Sequence, residues 1–217
     1  MAHIIGLIQV KGGVGRSTIA ANLAGLIAHR KQVALIDCDM PQGTSAAWAT
    51  IRGSGLTIAT ATDHMQLVDE VKRLNESHDY IVIDAPPRIA EITKVALILS
   101  KLCIVPLGAT MPDIWATTDL LKTIEQAKAL KPEVNARILW NKYRETTRSA
   151  KELSQAVHEQ LGLKELTTKL GYRVAYSDAF AEGKTVAEWT DRAAKDELKA
   201  LGREIEKLMR VKFMGDE

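Results

Sequence analysis

The first thirty residues constrain this chain most. Ile4 to Val10 (IIGLIQV) is an apolar run of strand length, and Lys11 to Thr18 (KGGVGRST) sets three glycines directly behind it. From Ile19 to about Arg30 the spacing predicts a helix. A strand, a glycine-rich loop and a helix, in that order, build an anion cradle. The glycines let the backbone turn and aim its N–H groups inward, and the helix start adds the positive end of its dipole. Ser17 places a hydroxyl where a magnesium ion on bound phosphates is within reach. Two cations bracket the loop. The general phosphate-loop pattern ends Gly-Lys-Ser/Thr, but here Arg16 holds the lysine position, and Lys11 opens the loop.

The remaining 187 residues decide what such a cradle serves. A 217-residue chain with 46% hydrophobic and 26% charged residues can bury a full core in one domain, 1–217. Net charge is only +2, from 29 basic and 27 acidic residues, so any nucleic-acid binding must come from local clustering. Cys38 and Cys103 both lie in apolar runs and read as buried hydrophobes. No Cys-x-x-Cys or Cys/His cluster supports zinc or iron–sulfur chemistry, and a reducing cytoplasm is expected. The loop glycines end the first apolar run too early for a signal peptide, and no apolar stretch approaches the length of a membrane span.

Further strands are predicted at Gln32–Asp37, Leu56–Thr60, Tyr80–Asp84, Lys101–Pro106 and Asn135–Trp140, with a last short one at Arg173–Tyr176. Helices are predicted at Thr44–Ile51, Met65–Leu74, Ile89–Leu99, Asp113–Leu130 (Asp113 as cap), Thr147–Leu161 and an amphipathic one at about 193–211. Continuous β-branched runs alternating with helices predict an α/β fold, a mostly parallel sheet covered by helices on both faces. Ligands in such sheets sit beyond the C-terminal strand ends. Those ends carry Asp37 and Asp39, Asp84, Pro106–Asp113 and Asn141. Asp84 stands where a phosphate-loop enzyme places a magnesium-supporting carboxylate. Asp37 and Asp39, two apart, face the crevice together or form a turn before Pro41.

Lys11–Thr18 resembles the deviant Walker A motif, KGGxGK[ST][ST], of ParA/MinD-type ATPases. Asp37-Cys-Asp-Met-Pro-Gln-Gly43 resembles their DxDPQG segment with Met40 inserted. Asp84-Ala-Pro-Pro87 is similar to their DxPP segment, and Arg173–Thr185 to their late segment ending Gly-Lys-Thr. The resemblance covers nearly the whole chain and is nearest to the short ParA type, without an additional N-terminal helix-turn-helix domain. It implies ATP and Mg2+ as ligands. Gly12, Gly13, Val14, Gly15, Arg16, Ser17 and Thr18 would wrap the phosphates, and Ser17, Asp37 and Asp84 would serve the metal. Asp39 would position the attacking water. Lys11 matches the signature lysine that reaches the partner's ATP in a sandwich homodimer. Asn141 stands where family members contact adenine, or it caps the next turn. Arg16 departs from the family pattern. Arginine is a planar fork rather than a compact ammonium, so slow hydrolysis is expected.

The resemblance further implies non-specific DNA binding, a ParB-like adaptor and a cytoplasmic, nucleoid-associated protein that positions plasmid, chromosome or other cargo. The segment 142–212 is rich in basic residues. Arg144, Arg148, Lys169, Arg173, Lys184, Arg192 and Lys195 are the candidates, though acidic residues are interleaved with them. Two alternatives stand beside this reading. One is a MinD-like membrane-associated ATPase using the C-terminal helix, for which the sequence lacks a clear lipid-facing stripe. The other is a small-molecule ATP-dependent enzyme, for which no second set of convergent polar groups is visible.

Overall fold

The computed structural model describes residues 1–87, 90–144 and 149–215. In chain order the strands are β1 (His3–Leu7), β2 (Val33–Asp37), β3 (Thr57–Thr60), β4 (Tyr80–Asp84), β5 (Leu102–Gly108), β6 (Ala136–Asn141) and β7 (Lys164–Glu165). The helices are α1 (Arg16–Ala28), α2 (Thr44–Arg52), α3 (His64–Leu74), α4 (Ala90–Leu99), α5 (Met111–Leu130), α6 (Ser149–Leu161), α7 (Ala175–Ala181) and α8 (Arg192–Met209). All strands pair in parallel, in the order β3-β2-β4-β1-β5-β6-β7. The architecture is the expected one, a parallel sheet covered by helices on both faces.

Alternate residues of each strand feed two cores, as the two-residue period of a strand requires. Ile4, Ala34, Ile36, Ile81 and Ile83 pack under α3, α4, α5 and α6, while Ile5, Leu7, Leu35 and Val82 pack under α1, α2, α7 and α8. The strands are buried on both faces, so they read as continuous apolar runs. Helix α1 runs through the second core with every residue from Ile19 to Ile27 buried. That explains its lack of a polar stripe.

The order β2-β4-β1-β5 brings the C-terminal ends of four strands beside the glycine loop. Leu7, Asp84 and Asp37 are register partners across β1, β4 and β2, so their side chains lie on one face of the sheet, under α1.

Three expectations are corrected. Arg173–Tyr176 is not a strand. Val174 is already in right-handed helical geometry, and α7 follows because Ala175 and Ala179, four apart, bury one small face. The last short strand is instead β7. Asp113 is not the cap of α5: Thr110 is, and Asp113 sits in the first turn. The C-terminal helix begins and ends slightly earlier than expected, and it packs Leu198, Leu201, Ile205 and Met209 into the core.

The Gly-Lys-Thr segment at 183–185 buttresses α1 and α2 and lies outside the cavity lining. Asn22 Oδ1 accepts from Val186 N at 2.8 Å, Trp48 Nε1 donates to Lys184 O, and Arg52 holds Gly183 O and Glu188. Burial opposes ionisation of Glu188, but the Arg52 and Thr185 donors outweigh it and bring its pKa down to about 2.

Candidate functional site

The glycine loop walls a cavity of about 600 Å³ at the C-terminal edge of the sheet. Gly12 through Thr18, Asp39 and Asn141 line it, joined by Gln42, Lys142 and the segment 171–177. Lys11, Asp37 and Asp84 do not line it. The two strand-end carboxylates lie beneath the floor, fully buried.

The loop is held from both sides. Gln9, at the end of the first apolar run, is 1% exposed. Its Oε1 accepts from Val10 N at 2.9 Å and from Lys11 N at 3.4 Å. Its Nε2 donates to Pro106 O at 3.1 Å and to Thr117 Oγ1 at 3.0 Å. On the other side Asn141 Nδ2 donates to Val14 O at 2.8 Å, and Lys142 Nζ donates to Gly13 O at 2.9 Å. Asn141 therefore braces the loop backbone. Gly15 needs to be glycine twice over: its φ is +90°, and a Cβ there would stand 2.4 Å from Asn141 Nδ2.

Arg16 lines the cavity but is largely withdrawn from it. Its side chain is 6% exposed and folds back under the loop. Nη1 donates to Gln9 O, Nη2 lies 3.4 Å from Asp39 Oδ2, and Nε is buried without a partner. Burial lowers the guanidinium pKa, and the charges of Asp84, Asp39 and Asp37 hold it up. Burial raises the Asp39 pKa, Arg16 pulls it back, and Asp37 pushes it further up.

The carboxylates differ in how they are satisfied. Asp37 Oδ1 accepts from Asp39 N and Oδ2 from Ala46 N, both at 2.9 Å, so both oxygens are engaged by backbone around the α2 start. Neither Asp84 oxygen has a hydrogen bond of proper geometry, and Ser45 Oγ is likewise buried and unpartnered. Burial pushes the Asp84 pKa up to about 7. The Ser17 hydroxyl pulls against that shift, neighbouring Asp37 adds to it, and Arg16 and Ser45 oppose it. An orphaned buried carboxylate beside a phosphate cradle fits a cation bound above it through water. Among the described residues no cluster of three or more His, Cys, Asp or Glu side chains could cage a metal. Magnesium is compatible with that, since it retains waters and takes phosphate oxygens as ligands.

The basic candidates divide into two groups. Arg144 lies over the Tyr172 ring at 4.6 Å, Lys169 over the Tyr143 ring at 4.3 Å, and Arg173 pairs with Glu197 at 2.7 Å, all at or near the cavity rim. Lys184 pairs with Glu182, and Arg192 approaches Asp196 at 3.9 Å, while Lys195 is half-buried on α8. Arg148 lies outside the described residues. Both cysteines are buried and unpaired, and burial pushes the Cys103 thiol up to about 12.

Sequence reasoning missed Gln9 and Ser45 at this site; it placed Asp113 at the crevice edge only as a helix cap and Lys142 only within the basic segment, without their contacts to Lys11 and Gly13. A lone amide ending an apolar run was the available signal for Gln9.

Comparison with known proteins agrees with this fold. The chain is 28% identical over 210 residues to the maintenance of carboxysome distribution protein A of Halothiobacillus neapolitanus, covering 94% of this chain and 96% of that one. It is 27% identical to the chromosome-partitioning ATPase Soj of Thermus thermophilus, covering 85% and 87%. The fold superposes on the ATP complex of a Cyanothece McdA variant with a TM-score of 0.79, at 14% identity over 99% of each chain. The model of the CobQ/CobB/MinD/ParA nucleotide binding domain matches residues 5–186, and the chain belongs to that family.

Proposed function

We propose that this protein is a ParA-like ATPase that pairs with a second copy when ATP is bound, binds DNA without sequence preference and positions a cargo through a ParB-like adaptor. The observation that carries the nucleotide reading is the braced glycine cradle set above an unpartnered, fully buried Asp84. The relatives named for carboxysome distribution and chromosome partitioning support the positioning role.

In this reading the loop N–H groups and the α1 start bind the phosphates. Ser17 and Asp84 would hold Mg2+ beside them, and that ion would supply neutralising charge to the phosphates. Asp39 orients the attacking water, and Lys11 of each copy adds positive charge to the phosphates of the other. Arg16 sets the rate. Its fork is already engaged by Gln9 and Asp39, and a phosphate misplaced by about 1 Å costs roughly 100-fold in turnover. The basic groups around the cavity rim and on α8 offer contacts to DNA backbone, which makes retention strongly salt-dependent. The membrane reading loses its anchor, because the apolar side of α8 is spent on the core.

Sedimentation velocity with ATP and Mg2+, and DNA retention at low salt, test the proposal. Dimers and retained DNA are expected with ATP and neither with ADP. A mass unchanged by ATP, or turnover stimulated by a metabolite instead of DNA and adaptor, would overturn it.

A further inference from the structure

Lys11 is engaged within its own chain. Its Nζ donates to Asp113 Oδ1, across 102 residues of sequence. The Lys11 side chain is 37% exposed and that of Asp113 only 14%, so the contact is partly shielded from water.

Asp113 is built into place. Its Oδ2 accepts from Thr110 Oγ1 at 2.6 Å, and its own N–H donates to Thr110 Oγ1 at 3.3 Å. Its carbonyl accepts from Thr117 Oγ1 at 2.8 Å, and that same hydroxyl receives Gln9 Nε2. The carboxylate rests against Gly108, where a Cβ would stand 2.3 Å from Oδ2. Gly108 has no positive φ, so glycine is needed there for room alone. The end of β5, the α5 cap and Gln9 together aim one carboxylate at one lysine.

We infer that Asp113 is the positioning residue for Lys11, holding it in cis in the unpaired protein and releasing it when a second copy presents bound phosphate. This rests on the proposed role of Lys11 in trans. A single ammonium cannot serve Asp113 and a partner's phosphates in full, so pairing must weaken the internal contact. Each protomer of a twofold dimer gives up one such contact, so the effect on the dimer constant is squared. A partly exposed pair changes an equilibrium by about twofold to fivefold, which gives about fourfold to twenty-fivefold in dimer Kd.

Two measurements on the full chain test this. The first is the rate at which an amine-directed acylating reagent labels Lys11 in the nucleotide-free monomer, read by peptide mass spectrometry. The second is the protein concentration for half-dimerisation with ATP and Mg2+, by sedimentation velocity. Asp113→Asn should speed Lys11 labelling about twofold to fivefold and tighten the dimer, whereas Asp113→Glu, which keeps the charge, should stay near wild type. A residue that merely caps α5 would give the opposite sign, a weaker dimer. Unchanged labelling in Asp113→Asn overturns the cis contact. A wild-type dimer that Asp113→Asn fails to tighten overturns the release step alone. Faster labelling with no ATP dimer in any variant overturns the trans reading of Lys11, and the release step falls with it.

Discussion

The Arg16 guanidinium and the Gln9 main-chain carbonyl are hydrogen-bonded to each other beneath the glycine loop, and Nη2 of the same guanidinium faces Asp39 Oδ2 at 3.4 Å. One side chain thus joins the end of β1 to the segment after β2. A lysine has one nitrogen at its tip and cannot span both partners in a planar fork. Arg16→Lys is therefore expected to free the cation for phosphate and raise ATP turnover, by about tenfold to a hundredfold. Phosphate release under saturating ATP measures it, and equal or lower turnover would remove Arg16 as the rate-setting residue.

Gln9 serves four hydrogen-bond partners from a fully buried site. Gln9→Leu, close in volume, leaves the Val10 N–H and the Pro106 carbonyl without that amide. The expected loss is about 2–3 kcal/mol, or a melting temperature lower by roughly 4–12 °C. Thermal denaturation without nucleotide reads this directly, and a melt within 1 °C or so of wild type would refute the hub.

Asn141→Ala removes the brace on Val14 and unburdens Gly15. ATP affinity should fall about tenfold by calorimetry, while the nucleotide-free melt moves little. Gly15→Ala should be worse, combining a strained φ with a direct clash. Equal ATP affinity for wild type and Asn141→Ala would leave that contact without a role in binding.

Asp84 makes stability depend on pH. Its folded pKa of about 7 lies above the ordinary carboxyl value of 3.8. Below about pH 4 both folded and unfolded forms are protonated and burial of the acid has no ionic cost. As pH rises from 4 to 7 the unfolded chain ionises first, so the nucleotide-free fold loses stability, and above 7 the full cost is present. Asp84→Asn should stabilise the nucleotide-free protein at pH 8 by an amount on the order of a few kcal/mol, and by little near pH 4. Urea denaturation at both pH values decides it. The same variant should lose the stabilisation that Mg2+ adds to ATP binding.

The periodic parts of the chain were legible. Tyr80–Asp84 is a strand with the bounds that its apolar run and turn residues indicate, and the glycine loop sits between the strand and helix that flank it in sequence. What was hidden depends on contacts far apart in the chain. Lys11 meets Asp113, Val14 meets Asn141 and Gln9 meets Thr117, each across more than 100 residues. Arg173–Tyr176 misled because Arg-Val-Ala-Tyr alternates like a strand, while Ala179, which completes the buried helical face begun by Ala175, lies beyond it. Asp37 and Asp84 look alike in sequence. Their difference, one carboxylate saturated by amides and the other orphaned, arises from where α2 starts.

The two halves of the glycine loop are unequal before any ligand arrives. Val10 and Lys11 spend their amides on Gln9, and the Val14 and Gly13 carbonyls accept from Asn141 and Lys142, but a Cβ at Gly12 or Gly13 would meet nothing within 4 Å. In hydrogen–deuterium exchange the Val10 amide should therefore be slow in the empty protein, and those of Gly12 and Gly13 fast until phosphate captures them. The entropy of ordering the loop on binding is therefore concentrated at Gly12 and Gly13, two residues with no side chains to order.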